Sequence, residues 1–178
     1  MEIKGISITD LAVYLSDYLR KNGIDTVLSG GACVSIYTNN KYVSYDLDFV
    51  LLVYVDRKKI KGVLEEIEFH EQGKFFTHKD TQYFIEFLAP PLSVGEEPVK
   101  DVSFIEKNGK ILKLLSPADC VKDRLAAYYH WNDIPGLEQA IWVCRDNIVD
   151  LKEIERWSLN EGMKDKFEVF KKSLVSTP

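Results

Sequence analysis

The sequence predicts an α+β (α/β) fold, in which a small mixed sheet flanked by helices is followed by a C-terminal helical bundle. Three observations predict it. Short apolar runs of strand length alternate with stretches of helical spacing up to Leu115. An Asn-Gly turn between apolar flanks marks a hairpin late in that part. Beyond Ser116 only helical spacing remains. Units of 1–115 and 116–178 are expected, the second packed on the first because no disordered linker separates them.

Thr9 followed by DLAVYLSDYLRKNG reads as a capped amphipathic helix, with Leu11, Leu15, Tyr18 and Leu19 on one side and Gly23 as its stop. A strand is expected near residues 24–28, ending at Leu28-Ser29-Gly30-Gly31. Glycines opening the short helical segment ACVSIYT let backbone N–H groups approach a phosphate at a helix N-terminus. DLDFVLLV then reads as a buried strand near residues 46–53. Because side chains alternate, Asp46 and Asp48 share one face and Leu47 and Phe49 the other. Their Cα atoms would lie about 6.5 Å apart. Two buried anions that close repel unless a cation neutralises them or one takes up a proton. A hard divalent metal carrying a phosphate satisfies both. A bare pair of aspartates could equally cap a loop or pair with Lys or Arg; the upstream glycines shift the balance towards the metal.

VDRKKIKGVLEEI returns to helical spacing through Ile60, Val63, Leu64 and Ile67, with Arg57 to Lys61 as its solvated face. KFFTH and QYFIEFLAP read as two further strands. In the second, Glu86 shares a face with Phe84 and Leu88, a carboxylate in an apolar strand that either needs compensation or lies on an exposed edge. APPLSVGEEP is a loop that could insert beside the site, and FIEKNGKILKLL is a hairpin turning at Asn108-Gly109. Ser116, Pro117 and Asp119 begin a helix in the manner of a capping box. PGLEQAIWVCRDN, VDLKEIERWSLNEG and MKDKFEVFKKSL supply the rest of the bundle. Trp131, Trp142, Trp157, Tyr128 and Tyr129 are expected in helix packing, and Asp150 with Glu153 reads as a further cap.

The string SGG, helix, S-x-D-L-D-F resembles the motif of the nucleotidyltransferase superfamily, G-[GS], a spacer, then D-h-[DE]-h. It looks most like the minimal and AbiEii-type branch of toxin–antitoxin and phage-defence systems. The polar loop TNNKYVSY takes up a long spacer; Ser44 is kept, and Val43 stands where related toxins carry an arginine. The resemblance implies a nucleotidyltransferase-like sheet and Mg²⁺ (or Mn²⁺) held by Asp46, Asp48 and, as third acidic residue, Glu86. It implies nucleotide binding by Ser29, Gly30, Gly31 and Ser44. The helix after Ser116 resembles a later motif through Lys122, with Arg124 beside it, as phosphate ligands. Arg145, Asp146, Asp150 and Leu151 resemble a second one.

The expected activity is Mg-dependent transfer of an NMP from an NTP to a protein or RNA acceptor, within a toxin–antitoxin pair and with a cognate toxin or antitoxin as partner. The alternatives are an inactive nucleotidyltransferase-fold binding or antitoxin subunit, and a nucleotide-binding regulatory module. A net charge of −5 over 178 residues argues against general DNA or other nucleic-acid binding. No run approaches the roughly eighteen apolar residues that span a bilayer, and three dispersed cysteines suit reduced thiols, so a cytoplasmic protein without membrane association is expected. His70, His78 and His130 show no zinc-ligand spacing.

Overall fold

The computed structural model describes residues 3–176; the outermost ends of the two expected units, residues 1–2 and 177–178, lie outside them. The first helix, α1 (Ile8–Lys21), starts earlier than expected. Its cap is Ser7, whose Oγ accepts the Asp10 N–H at 3.1 Å, and it ends before Gly23 at φ +69°. Strand β1 (Thr26–Ser29) leads into α2 (Gly30–Tyr37) with no residue between them. A loop with left-handed Asn39 and Asn40 returns to β2 (Asp46–Leu51). Then come α3 (Arg57–Glu65), β3 (His70–Gln72), β4 (Phe75–Thr77) and β5 (Phe84–Leu88). The β3 strand was not anticipated; HEQ alone lacks the apolar alternation that betrays a strand, and it forms as an edge paired only to β4.

The expected loop at APPLSVGEEP contains a two-residue hairpin, β6 (Ser93–Val94) with β7 (Glu97–Pro98). It is followed by β8 (Val102–Lys107) and β9 (Lys110–Leu115), turning at Asn108 and Gly109 with φ of 53° and 70°. Four helices complete the chain: α4 (Pro117–Trp131), α5 (Ile134–Asp146), α6 (Leu151–Asn160) and α7 (Lys164–Ser176). The α4 cap forms as expected, Ser116 Oγ accepting the Asp119 N–H at 3.1 Å. Among the described residues no helix is long and apolar enough to cross a membrane.

The main sheet has the order β3-β4-β5-β2-β1-β9-β8, with β2·β5 and β1·β9 parallel and the other pairs antiparallel. This is an α+β fold with a mixed sheet. On one face Leu47, Phe49, Phe76 and Ile85 are fully buried. α1 and α3 lie on that side: the Arg57 guanidinium sits 4.9 Å over the Phe76 ring, and the Tyr18 hydroxyl reaches Glu66 at 2.8 Å. The opposite face carries the acidic residues. α2 packs against β2, α4 and α5, so the helical half is fastened to the sheet through the helix that the glycine pair opens.

The β6–β7 hairpin is fastened to α6 and packs against α4. Trp157 Nε1 donates to Val94 O at 3.3 Å, and Arg156 makes two hydrogen bonds to Glu97, at 2.8 and 2.7 Å. Trp157, Tyr128 and Tyr129 are buried, as expected of packing residues, but Trp131 is 78% exposed because it closes α4 on its outer side.

Candidate active site

Register brings the predicted acidic residues together. Asp48 stands opposite Ser29 on β1 and opposite Glu86 on β5, and Asp46 stands opposite Phe84. Directly opposed residues share a face, so Asp46, Asp48 and Glu86 all project from one side, next to the end of β1. They are partly buried and not fully enclosed. Glu86 is therefore not an isolated edge residue; it pairs with Lys74, whose Nζ lies 2.9 Å from Oε2 and 4.7 Å from the Phe75 ring centre.

The glycines fit this arrangement closely. Gly30 has φ +64°, and a Cβ placed on it would lie 2.2 Å from Asp48 Oδ2. A Cβ on Gly31 would meet Ser44 Oγ at 3.0 Å and Tyr42 Cε1 at 3.2 Å. The backbone thus turns into α2 against the Asp48 carboxylate, where any side chain would collide. Ser29 Oγ donates to the Asp48 carbonyl at 3.2 Å, and Ser44, 1% exposed, donates its hydroxyl to Asp46 Oδ1.

The electrostatics follow from the crowding. Burial, then repulsion from Asp46 and Glu86, pushes the Asp48 carboxyl up to about 7; Arg124 pulls it down and Asp123 adds to the rise. Three carboxylates share this face, and the one at its centre, Asp48, is raised first by burial and then by the charge of the other two, a strain that a hard divalent cation would relieve. The Asp48 carboxylate occupies the space a Gly30 side chain would take, so the first residues of α2 lie directly against the acidic face.

The two basic residues expected on α4 face different carboxylates. Arg124 is the cation that acts on Asp48. Asp123 holds it, accepting from Nε at 3.0 Å and from a terminal guanidinium nitrogen at 2.5 Å. Lys122 points elsewhere: its Nζ lies 2.8 Å from Glu153 and 3.4 Å from Asp119, in a network that continues through Arg156 to Glu97. Lys122, expected as a phosphate ligand, is thus held between the carboxylates of Asp119 and Glu153. Asp123, read in the sequence only as one of the charges beside Lys122 and Arg124, and Lys74 were not expected at the site. The adjacent Asp-Arg pair was a signal for the first; for Lys74, which acts across a β-hairpin, there was none.

The later motif residues tie helices together. Asp146 accepts from Lys41 at 2.6 Å, Arg145 donates to the Leu174 carbonyl at 3.2 Å, and Asp150 caps α6 by accepting the Lys152 N–H at 2.9 Å. Elsewhere Glu68, His78 and Asp80 place a ligand atom each within 4.8 Å of one another. His78 Nδ1 accepts the Asp80 N–H at 3.1 Å, so Nε2 carries the ring proton towards Glu68, 3.6 Å away. That tautomer offers a metal no free lone pair. Cys33, Cys120 and Cys144 are free thiols.

No protein-family model and no curated protein matches the sequence. Solved structures do match the fold. An antigenic nucleotidyltransferase-like protein from Paracoccidioides brasiliensis superposes with a TM-score of 0.58 at 14% identity, covering 93% of this chain and 94% of that one. ANT(2'')-Ia in complex with adenylyl-2''-tobramycin superposes with a TM-score of 0.50 at 12% identity, covering 93% of this chain and 97% of that one. With the glycine turn, the paired aspartates on the next strand and a mixed sheet followed by helices, the chain has a nucleotidyltransferase-like fold.

Proposed function

We propose that the protein is a nucleotidyltransferase that moves an NMP from an NTP to a protein or RNA acceptor, using Mg²⁺ or Mn²⁺. The observation that carries the reading is the register that puts Asp46, Asp48 and Glu86 on one face beside the Gly30-Gly31 turn. Asp46, Asp48 and Glu86 would hold the divalent cation, which when bound neutralises phosphate charge and activates an acceptor hydroxyl. Gly30, Gly31, Ser29 and Ser44 shape the phosphate seat. Arg124, fixed by Asp123, supplies the permanent positive charge for the triphosphate that the carboxylates cannot. The adenylylated product held by ANT(2'')-Ia supports transfer chemistry on this fold.

Residues 1–115 act in this reading as the catalytic unit, and 116–178 as the helical unit that brings Arg124 to it. A cytoplasmic role within a toxin–antitoxin pair rests on the sequence resemblance. The test is transfer of label from α-labelled NTPs, with Mg²⁺, into protein and RNA fractions. Wild type should label an acceptor, and the Asp46→Ala/Asp48→Ala double variant should not. An equal thermal shift by Mg-NTP in wild type and the double variant would refute the site. Binding without turnover would leave the inactive-subunit or regulatory reading in its place.

A further inference from the structure

Ser35 takes no part in any motif, yet it sits at the middle of a hydrogen-bonded chain linking the glycine turn to the first aspartate. It lies on α2 and is fully buried. Its hydroxyl donates to the Gly31 carbonyl at 3.2 Å, one turn back along the helix. Its oxygen also accepts the backbone N–H of Ser44 at 2.9 Å. Ser44 in turn donates its hydroxyl to Asp46 Oδ1. A buried helical serine commonly bonds only to the carbonyl four residues back. Here the second bond crosses to the end of the loop that precedes β2.

We propose that Ser35 is a positioning residue that fixes Ser44, and through it aims the Asp46 carboxylate at the divalent cation. This deepens, and rests on, the nucleotidyl-transfer reading. The loop between α2 and β2 needs such an anchor: Asn39 and Asn40 are both left-handed, while Val43 and Tyr45, on either side of Ser44, are 45% and 48% exposed. Ser44 is the point at which this loop is buried, and the Ser35 oxygen receives its N–H there. The absence of a side chain at Gly31 leaves the space that Ser44 Oγ fills. The same short helix therefore presents the phosphate seat at its first residues and sets a metal-ligand orientation one turn later. Residues that orient metal ligands through hydrogen bonds change metal affinity when removed, by about 10–100-fold.

The test is Mn²⁺ binding to the full chain without nucleotide, followed by the electron paramagnetic resonance signal of the free ion. Ser35→Ala should weaken binding on the order of 10-fold, and Ser35→Thr, which keeps the hydroxyl, should bind nearly as wild type. The same Ser35→Ala change in an Asp46→Asn background should cause no further loss, because the effect acts through Asp46. Wild-type affinity in Ser35→Ala, or an equal loss in both backgrounds, overturns the inference. If Ser35→Ala does not fold, Ser35→Cys carries the same cycle with a smaller loss, and no loss there overturns it as well. A wild-type chain that binds Mn²⁺ but transfers no nucleotide ends the functional reading while this inference stands; one that binds no Mn²⁺ ends both.

Discussion

Replacing Asp48 with Asn should make the metal-free protein more stable at neutral pH and above. The Asp48 carboxyl is raised from 3.8 to about 7 in the fold, first by burial and then by Asp46 and Glu86. A raised carboxyl pKa means that the folded state binds the proton more tightly than the unfolded chain. Its contribution is fully favourable below about pH 4 and is lost as pH rises towards 7, remaining lost above it. The span from 3.8 to about 7 corresponds to roughly 4 kcal/mol as an upper limit. Asn keeps the shape and cannot ionise, and its amide N–H groups can donate to the neighbouring carboxylates. In chelator at pH 8 the variant should therefore exceed wild type by about 2–4 kcal/mol, or roughly 4–16 °C in melting temperature for a chain of this size. The gap should shrink to well under about 1 kcal/mol at pH 4 and close below about pH 3, where Asp48 is protonated in either state. Glu97 and Glu153, held down at about 2 by the Arg156 guanidinium, keep their pairs to lower pH in both proteins. Saturating Mg²⁺ at pH 8 should raise the wild-type melting temperature and leave the variant nearly unmoved, because the ion stabilises only the form that binds it. Paired denaturant and thermal melts at the two pH values decide the matter. A variant that melts with or below wild type at pH 8 in chelator would refute the crowding argument, as would a gap that persists unchanged at pH 4.

Gly30→Ala should destabilise the fold by at least about 1–2 kcal/mol from its left-handed backbone alone, and should abolish Mg-NTP binding by pushing on Asp48; a variant with normal nucleotide titration would show that the turn is not the phosphate seat. Arg124→Ala should weaken NTP affinity by about 1.5–3 kcal/mol, the scale of a charge-assisted hydrogen bond. Lys122→Ala should leave that affinity near wild type and lower stability instead, by freeing Glu153 and Asp119. Isothermal titration beside a urea melt separates the two, and equal affinity losses would contradict the placement of these residues. Glu86→Gln should reduce turnover by about 10²–10⁴-fold if Glu86 also accepts the acceptor's proton, and by a loss of divalent-cation affinity if it only holds the metal, with a much smaller change in NTP affinity in either case; an unchanged turnover number would take Glu86 out of the chemistry.

The acidic face was legible because it depends on alternation alone. Once DLDFVLLV and FIEFL are strands, Asp46, Asp48 and Glu86 each have a determined side, and the structure adds only the register that sets Asp48 beside Glu86. The hairpin at Asn108-Gly109 and the caps at Ser116 and Asp150 were legible for a similar reason, since a local turn or cap needs only its own few residues. What the sequence did not carry is pairing between distant parts. The HEQ strand exists because β4 offers it an edge, and the β6–β7 hairpin lies where Trp157 and Arg156 hold it. Neither partner can be inferred from the segment itself.

The placements of Lys122 and Arg124 show where this boundary falls. Residues two apart on a helix point about 200° apart, so only one of them could face the acidic strands. Which one depends on how the helix is rotated against the sheet, and packing settles that. A clue lay in the stripe Cys120, Arg124, Tyr128, spaced by four, whose two outer members are buried. A guanidinium set in such a stripe is carried towards the core, where Asp48 lies within reach of its charge and Asp123 fixes its fork. Lys122 is buried too, but towards α6, where Glu153 receives it. A planar, permanently charged guanidinium suits this largely buried position beside the proposed triphosphate seat better than an ammonium, because it keeps two oriented bonds to Asp123 while leaving its remaining donors for an incoming oxygen.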